Sequence, residues 1–498
     1  MRAAIAVDPS AATPLHRQIY EAWRAGILSG RFRGGTRLPS TRELARALAV
    51  SRSTVTQAYE QLIAEGYLQA VRGAGTFVCG ELPDAALRAH PPASRPAASP
   101  AVRLSRFGAR LDEDFGSPSA PSGAICFSRW GPDLERFPFL LWRRLLARQL
   151  RRAPRALFDY ARDIRGHEAL RHEIAAYVAR SRAVACTPEQ VIVVSGSQQA
   201  LDLCARVLLD PGDRVAFEDP GYLGARRVFL AHGARLEPVG IDAEGVRVAD
   251  IGARARLVYV TPSHQFPTGV AMSLARRLAL IEWARRRRAV ILEDDYDSEY
   301  RYSGSPLPAL QSLAGDVPVV YCGTFSKVMF PALRIGYVIA PPALVPVLAR
   351  AKWLCDRHAP ALEQAALADF LREGHLERHI RRMRRLYGER RAALVDALER
   401  HFGDRVTILG DPAGMHLLAR FADGGMAERA QTNKVHLRSS AAYYLTKPPR
   451  NEYAFGFSSL PVPAIREGVR RLAGAGARPR ALREFDRAPE ARPFFEES

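Results

Sequence analysis

Between residues 14 and 28 the apolar residues Leu15, Ile19, Trp23 and Ile27 recur every fourth position. They share one face of a helix that Pro14 opens. A loop, 31–39, follows. Ser40 is placed to cap a short helix over 41–49 that turns Leu44 and Leu48 inward. Ser51 is placed to cap a third helix with a core face of Val55, Tyr59, Leu62 and Ile63, ended by Gly66. Two short β-patterned runs, 67–71 and 76–79, flank Arg72-Gly73-Ala74-Gly75, a glycine turn of hairpin type. Three helices and a hairpin predict a winged helix-turn-helix over 13–81.

Residues 82–122 have no hydrophobic period. Their Pro/Ala/Ser-rich composition reads as an extended linker, interrupted at 104–111 by alternating apolar and basic residues suited to docking on a neighbouring surface. After Ile125 the pattern changes again. Short apolar runs at 191–194, 214–219, 235–240, 256–262, 289–295, 317–325 and 334–340 alternate with amphipathic helices such as 274–288. That alternation predicts an α/β domain over 123–475 with a mostly parallel sheet covered on both faces. Residues 476–498 remain as a tail. In such sheets ligands bind beyond the carboxyl ends of strands, so the informative residues follow each strand.

Composition bounds the rest. The length of 498 residues suits two domains, and no run of about 18 apolar residues occurs, so no membrane span is expected. The six cysteines are scattered without a CxxC pair, which fits reduced thiols in a cytoplasmic protein. A formal charge of +20 favours polyanionic partners, although an arginine-rich composition contributes to it.

The third helix starts Ser51-Arg52-Ser53-Thr54, with Thr56 one turn on. Hydroxyls and N–H groups at a helix N-terminus suit phosphates, and an arginine there suits a guanine edge. Arg42 on the second helix is placed to clamp the backbone, and Arg72, Gly73 and Gly75 let the wing tip approach DNA closely. The plainer reading leaves Ser51 as a cap and Arg52 as a surface charge. The run from Leu38 to Leu68, with the Arg72–Val78 wing, resembles the DNA-binding domain of the GntR family of bacterial transcription regulators. The resemblance implies that Arg42, Ser51, Arg52, Ser53, Thr54, Thr56 and the wing glycines contact double-stranded operator DNA.

Only four lysines occur among 72 basic Lys and Arg residues: Lys327, Lys352, Lys434 and Lys447. Lys327 lies in Gly323-Thr324-Phe325-Ser326-Lys327, with Arg334 seven residues on. Arginine cannot replace an amine that must lose a proton and attack an aldehyde. One reading is a Schiff-base lysine holding pyridoxal phosphate; the other is an exposed loop lysine. Upstream, Ser195-Gly196-Ser197-Gln198 opens a helix and offers an anion cup, or else an ordinary capped connection. Tyr222 follows a strand and either stacks on a planar ring or covers the core. Asp294 ends a buried strand and needs a partner, which a pyridinium N–H would be; Tyr296 lies on the same side of the chain and suits the ring's 3′ oxygen. The alternative is a solvated or metal-binding acidic cluster, but no His or Cys lies near it at ligand spacing, so no metal site is expected. Thr324, Ser326 and Arg334 are placed for the phosphate.

In that order these segments resemble the class I/II aminotransferases, of fold type I. Gln265-Phe266-Pro267-Thr268-Gly269 departs from the family, which has an asparagine before Pro-Thr-Gly; His264 and Gln265 are the candidate substitutes. For an effector carboxylate the candidates are Arg450, then Arg438, each equally readable as a surface arginine. His375 and His379 lie four apart on a helix, but the pair has no HExxH motif. The combination is similar to the MocR subfamily. It implies a pyridoxal-phosphate-dependent regulator sensing an amino compound or the cofactor, in a head-to-tail homodimer in which the winged helix of one subunit lies near the large domain of the other. The rival expectations are a working aminotransferase with an accessory DNA-binding domain, a regulator whose large domain needs no cofactor, and a general nucleic-acid binder.

Overall fold

A computed structural model of the chain describes residues 5–81, 102–111, 122–160, 163–304 and 307–474. Most of the 82–122 linker and the whole 476–498 tail lie outside the described residues. The chain divides into two compact units, 1–103 and 104–498.

The first unit holds α1 (Leu15–Leu28), α2 (Thr41–Leu48), α3 (Arg52–Ala64) and a hairpin of β1 (Leu68–Val71) and β2 (Gly75–Val78). Ser40 accepts from the Glu43 amide while Glu43 reaches back to the Ser40 amide, a complete capping box. Ser51 caps α3 through the Thr54 amide. Ile19, Trp23, Ile27, Leu44, Val55, Ala58, Tyr59 and Leu62 form the core. Ile63, expected on the core face, is 36% exposed; Ala58 fills that side instead, because α3 turns its 55–58–59–62 stripe inward.

In the second unit β3 (Ile125–Cys126) pairs with a distant strand, and the main sheet is built from β4 (Val191–Val194), β5 (Arg214–Asp219), β6 (Arg235–Asp242), β7 (Gly245–Val246), β8 (Ala255–Val260), β9 (Val290–Asp295), β10 (Val319–Thr324) and β11 (Gly336–Ile339). Their spatial order is β4-β11-β10-β9-β8-β5-β6-β7. The centre is parallel, as the apolar runs predict; β11 is antiparallel to both its neighbours and β7 to β6. Successive residues of one strand serve opposite faces. Ile192 and Val194 pack with the helices Ser197–Leu208 and Val345–Asp356, whereas Val191 and Val193 pack with Glu168–Arg182. A second sheet, less evident in the sequence, follows from β12 (Val406–Leu409), β13 (His416–Phe421), β15 (Arg438–Ser439) and β16 (Glu452–Gly456), while β14 (Val435–His436) pairs with β3. It packs under the long helix His375–Phe402. Residues 104–111 dock on the large unit: Phe107 sets its ring edge on His232 at 5.2 Å and Arg110 donates to the Ala231 carbonyl. Among the described residues no helix is long and apolar enough to cross a membrane.

Replacing Ser40 with Ala removes one half of the capping box at a cost of about 1 kcal/mol. Amide hydrogen exchange across residues 41–64 is expected to quicken while that of 191–340 stays unchanged. Equal exchange in 41–64 would show that the cap contributes nothing.

Candidate functional site

In the first unit Arg42, Ser51, Arg52, Ser53 and the wing residues Arg72, Gly73 and Gly75 are exposed on one small body, with Thr54 and Thr56 half-buried. The hydroxyls are not idle. Ser51 Oγ lies 2.8 Å from Ser53 Oγ and 2.6 Å from Thr54 Oγ1, and Thr56 donates to the Arg52 carbonyl at 2.9 Å. They hold the helix start rigid. The Arg52 guanidinium has one long contact, 3.4 Å to Thr41 Oγ1, and is otherwise available to a base edge. Arg37 was not singled out from the sequence, yet its backbone bridges Phe77 and its guanidinium lies where a Cβ on Gly75 would sit. It adds a charge to the base of the wing.

In the second unit Lys327 lies just beyond β10, and its Nζ donates to the Trp130 carbonyl at 2.8 Å. Burial lowers its pKa from the usual lysine range, against the pull of Asp297 and Asp294, so the amine is driven toward its neutral, nucleophilic form. Asp294, next to last in β9, is 4% exposed. Its Oδ2 accepts from Tyr259 at 2.8 Å, whereas Oδ1 is buried without a partner among the described residues. Burial raises this carboxyl to about 6, with the Tyr259 hydrogen bond opposing. The Tyr296 hydroxyl lies 3.0 Å from His264 Nδ1, and Tyr222 sets its ring edge-on to Phe266 at 5.5 Å.

The anion cup forms where the sheet order brings β4 beside β11. Gly196, at φ 91°, precedes the helix Ser197–Leu208. A Cβ on Gly196 would lie 2.9 Å from Arg334 Nη2. Glycine therefore lets the guanidinium close over the helix N-terminus, where it donates to the Ser195 carbonyl at 2.5 Å. Thr324 Oγ1 accepts from the Ser326 amide at 3.1 Å, and Gln198 is tied to the Gly224 carbonyl. Behind the cup the buried Lys352 pairs with Asp356 at 2.7 Å. Asp356 accepts from Gln199, and Gln199 accepts from the Ser195 amide at 2.8 Å. A second lysine thus braces the cup.

The fold also corrects and extends the reading of the sequence. Gln265 does not face the site: its Nε2 donates to Glu218, Pro220 and Phe266, and its Oε1 accepts from Thr268. It is consumed in joining two cis-proline turns, Asp219-Pro220 and Phe266-Pro267. His264 is in the site, fixed by Asp297 at 3.0 Å beside Tyr296. His264, Asp297 and His416 cluster although the sequence places no histidine near Asp294. His416 comes from β13, and its ring stacks on Trp130 at 4.8 Å. Gly414 permits this approach, since a Cβ there would collide with the His264 ring. His416 Nε2 lies 3.2 Å from the Pro267 carbonyl, and burial lowers the pKa of the ring to about 3. Of the two arginines, Arg438 lies over the Trp130 ring at 6.0 Å and contacts Tyr443. Arg450 is exposed on the turn before β16, with no hydrogen bond or ion pair among the described residues. His379 is buried and His375 pairs with Glu373, so the helix spacing does not join them. Trp130, Tyr259 and His416 carried no motif of their own, and Asp297 stood in the run after the Asp294 strand without an assigned role. Only the strand-end position of Tyr259 offered a signal.

The family description "Aminotransferase class I and II" matches residues 143–452, and "Bacterial regulatory proteins, gntR family" matches 15–78. The probable rhizopine catabolism regulatory protein MocR of Rhizobium meliloti is 41% identical over 476 residues, covering 95% of both chains. A kynurenine aminotransferase of Pyrococcus horikoshii, solved with PMP, is 30% identical with a TM-score of 0.67 and covers 71% of this chain and 90% of its own. LysN, the α-aminoadipate aminotransferase of Thermus thermophilus, solved with N-(5′-phosphopyridoxyl)-L-leucine, is 30% identical with a TM-score of 0.65, covering 74% and 94%.

A buried carboxyl raised to about 6 from an ordinary 3.8 binds its proton more tightly in the folded state. Its stability contribution is full below pH 3.8 and is lost as pH rises through 6. In cofactor-free protein Asp294→Asn therefore gains on wild type by on the order of 2–3 kcal/mol between about pH 4.5 and about pH 8. Urea unfolding at the two pH values measures it; a pH-independent difference would contradict the burial argument.

Proposed function

The chain belongs to the MocR subfamily of GntR-type transcription regulators, and from that premise we propose a regulator whose DNA binding answers to an amino compound or to pyridoxal phosphate. Residues 13–81 are the DNA-binding domain and 123–475 the cofactor domain, in a cytoplasmic, nucleoid-bound head-to-tail homodimer. The observation that carries the reading is the buried Asp294 oxygen, without a partner among the described residues, close enough to the Lys327 amine for the two charges to act on each other.

The residues fit the cofactor. Pyridoxal phosphate supplies a carbonyl that captures a primary amine and a protonated ring that withdraws electrons. Asp294 Oδ1 offers the acceptor that a ring N–H requires, and its charge is stabilised by that partner. Tyr296, whose hydroxyl lies beside His264 held by Asp297, would offer that hydroxyl to the ring's 3′ oxygen. Tyr222 provides an aromatic face. The Ser197 helix N-terminus, Thr324, Ser326 and Arg334 receive the phosphate. Lys327, displaced toward its neutral form, is the residue that would hold the cofactor's carbonyl carbon and could move a proton there. Arg438 and its indole neighbour Trp130 receive an effector carboxylate. The same neutral amine supports a second reading, sustained transamination, which turnover with an amino and a keto acid would establish.

The dimer reading rests on an apolar surface of the large unit. Tyr160 is 71% and Leu354 76% exposed, and the Arg357 guanidinium lies over both Tyr160 and Trp353. A soluble monomer rarely leaves such a patch bare.

Borohydride reduction followed by peptide mapping is expected to place a pyridoxyl group on Lys327; an adduct elsewhere, or none, would refute the anchor. In Lys327→Ala the operator affinity should persist while the response to amine or cofactor is lost, as read by gel shift. Arg52→Ala is expected to weaken operator binding by about tenfold and relax one base position. Arg72→Ala should weaken all sequences alike and reduce the salt slope by about one. Identical effects on specific and random DNA for both would remove Arg52 from base recognition.

A further inference from the structure

A cavity of about 290 Å³ lies beside the Ser298–Arg301 segment, between the helices Glu168–Arg182 and His375–Phe402. It shares no residue with the phosphate cup at Ser197 and Arg334. Arg301 reaches it with Nε and Nη1 buried and without any hydrogen-bond partner among the described residues. A guanidinium left in that state loses hydration and gains nothing in return. Arg381, on the rim, is exposed and makes no hydrogen bond or ion pair among the described residues, and Arg384 uses only its Nε, on the Glu299 carbonyl at 2.8 Å.

The acidic groups there do not cancel this charge. Glu377 is answered by Arg180 at 3.0 Å. Glu299 accepts from Tyr177 at 2.7 Å, and burial with Asp295 nearby raises its pKa to about 7. Arg182 is already paired with Asp295 at 2.7 Å. Three guanidinium groups therefore keep unmet donor capacity around one concavity. Their planar forks match the oxygens of a phosphate or carboxylate. The buried Glu377 Oε2, also without a partner, is placed to accept from a hydroxyl carried by the same ligand.

We propose that this cavity is a second ligand site, for a small oxyanion bearing phosphate or carboxylate groups and a hydroxyl, held by Arg301, Arg381 and Arg384. Inorganic phosphate and citrate are the probes. Each is titrated calorimetrically into the full-length, cofactor-loaded protein, with ionic strength held constant by sodium chloride. Saturable one-site binding of either anion is expected, and the one that binds identifies the head group. Arg301→Gln and Arg381→Gln should each weaken it about tenfold, whereas Arg350→Gln, at an exposed arginine outside the cavity lining, should not. Circular dichroism checks that the buried Arg301 variant folds, and the exposed Arg381 variant gives an independent reading. An isotherm seen only in cofactor-free protein would assign the anion to the phosphate cup and overturn the site. Absence of saturable heat for both anions, or binding indifferent to Arg301 and Arg381, would overturn the site.

Discussion

One oxygen of Asp294 is buried with nothing to accept, and much of the large unit is arranged around that unmet demand. A carboxylate in such a place is unfavourable unless a proton or a cationic partner arrives. The strand that carries it is central in the sheet, with β10 on one side and β8 on the other, so the backbone cannot yield. Tyr259 from β8 satisfies the other oxygen and fixes the carboxyl's direction. That oxygen is left to a partner the fold itself does not supply among the described residues. The folded protein is completed by what it binds, which is the condition a sensor needs: occupancy changes the free energy of the state that is read.

The main sheet was legible because it obeys simple periodicity. Buried strands such as 191–194 and 290–295 are unbroken apolar runs, and their ends carry the residues a strand-end site uses. Asp294, Tyr296, Lys327 and Arg334 stand out as candidates in this way. The winged helix was legible for a different reason: Ser40 and Ser51 announce helix starts by local capping, which needs no tertiary information. What could not be read was anything decided across the chain. Trp130 contributes a backbone carbonyl, which has no sequence signature. His416 belongs to a small sheet whose short strands resemble loops, and reaches His264 only because Gly414 leaves room. Gln265 sits in the expected motif, yet its amide is taken by Glu218 and the two proline turns. Position in a motif identified the neighbourhood; hydrogen-bond demand decided the role.

The lysines sharpen the distinction between structure and chemistry. Two of the four are removed from solvent to different degrees and meet opposite fates. Lys352 is fully buried, and Asp356 meets its charge at 2.7 Å, so it serves as a fixed brace for the Ser195 loop. Lys327 is given only a neutral carbonyl, with Asp294 and Asp297 acting on it through space. A full ion pair would hold the proton on the amine and make it a poor nucleophile. A carbonyl orients the same group without opposing deprotonation. In a chain that writes nearly all its positive charge as arginine, lysine at 327 is explained by what arginine cannot do, and the choice of partner keeps that capacity available.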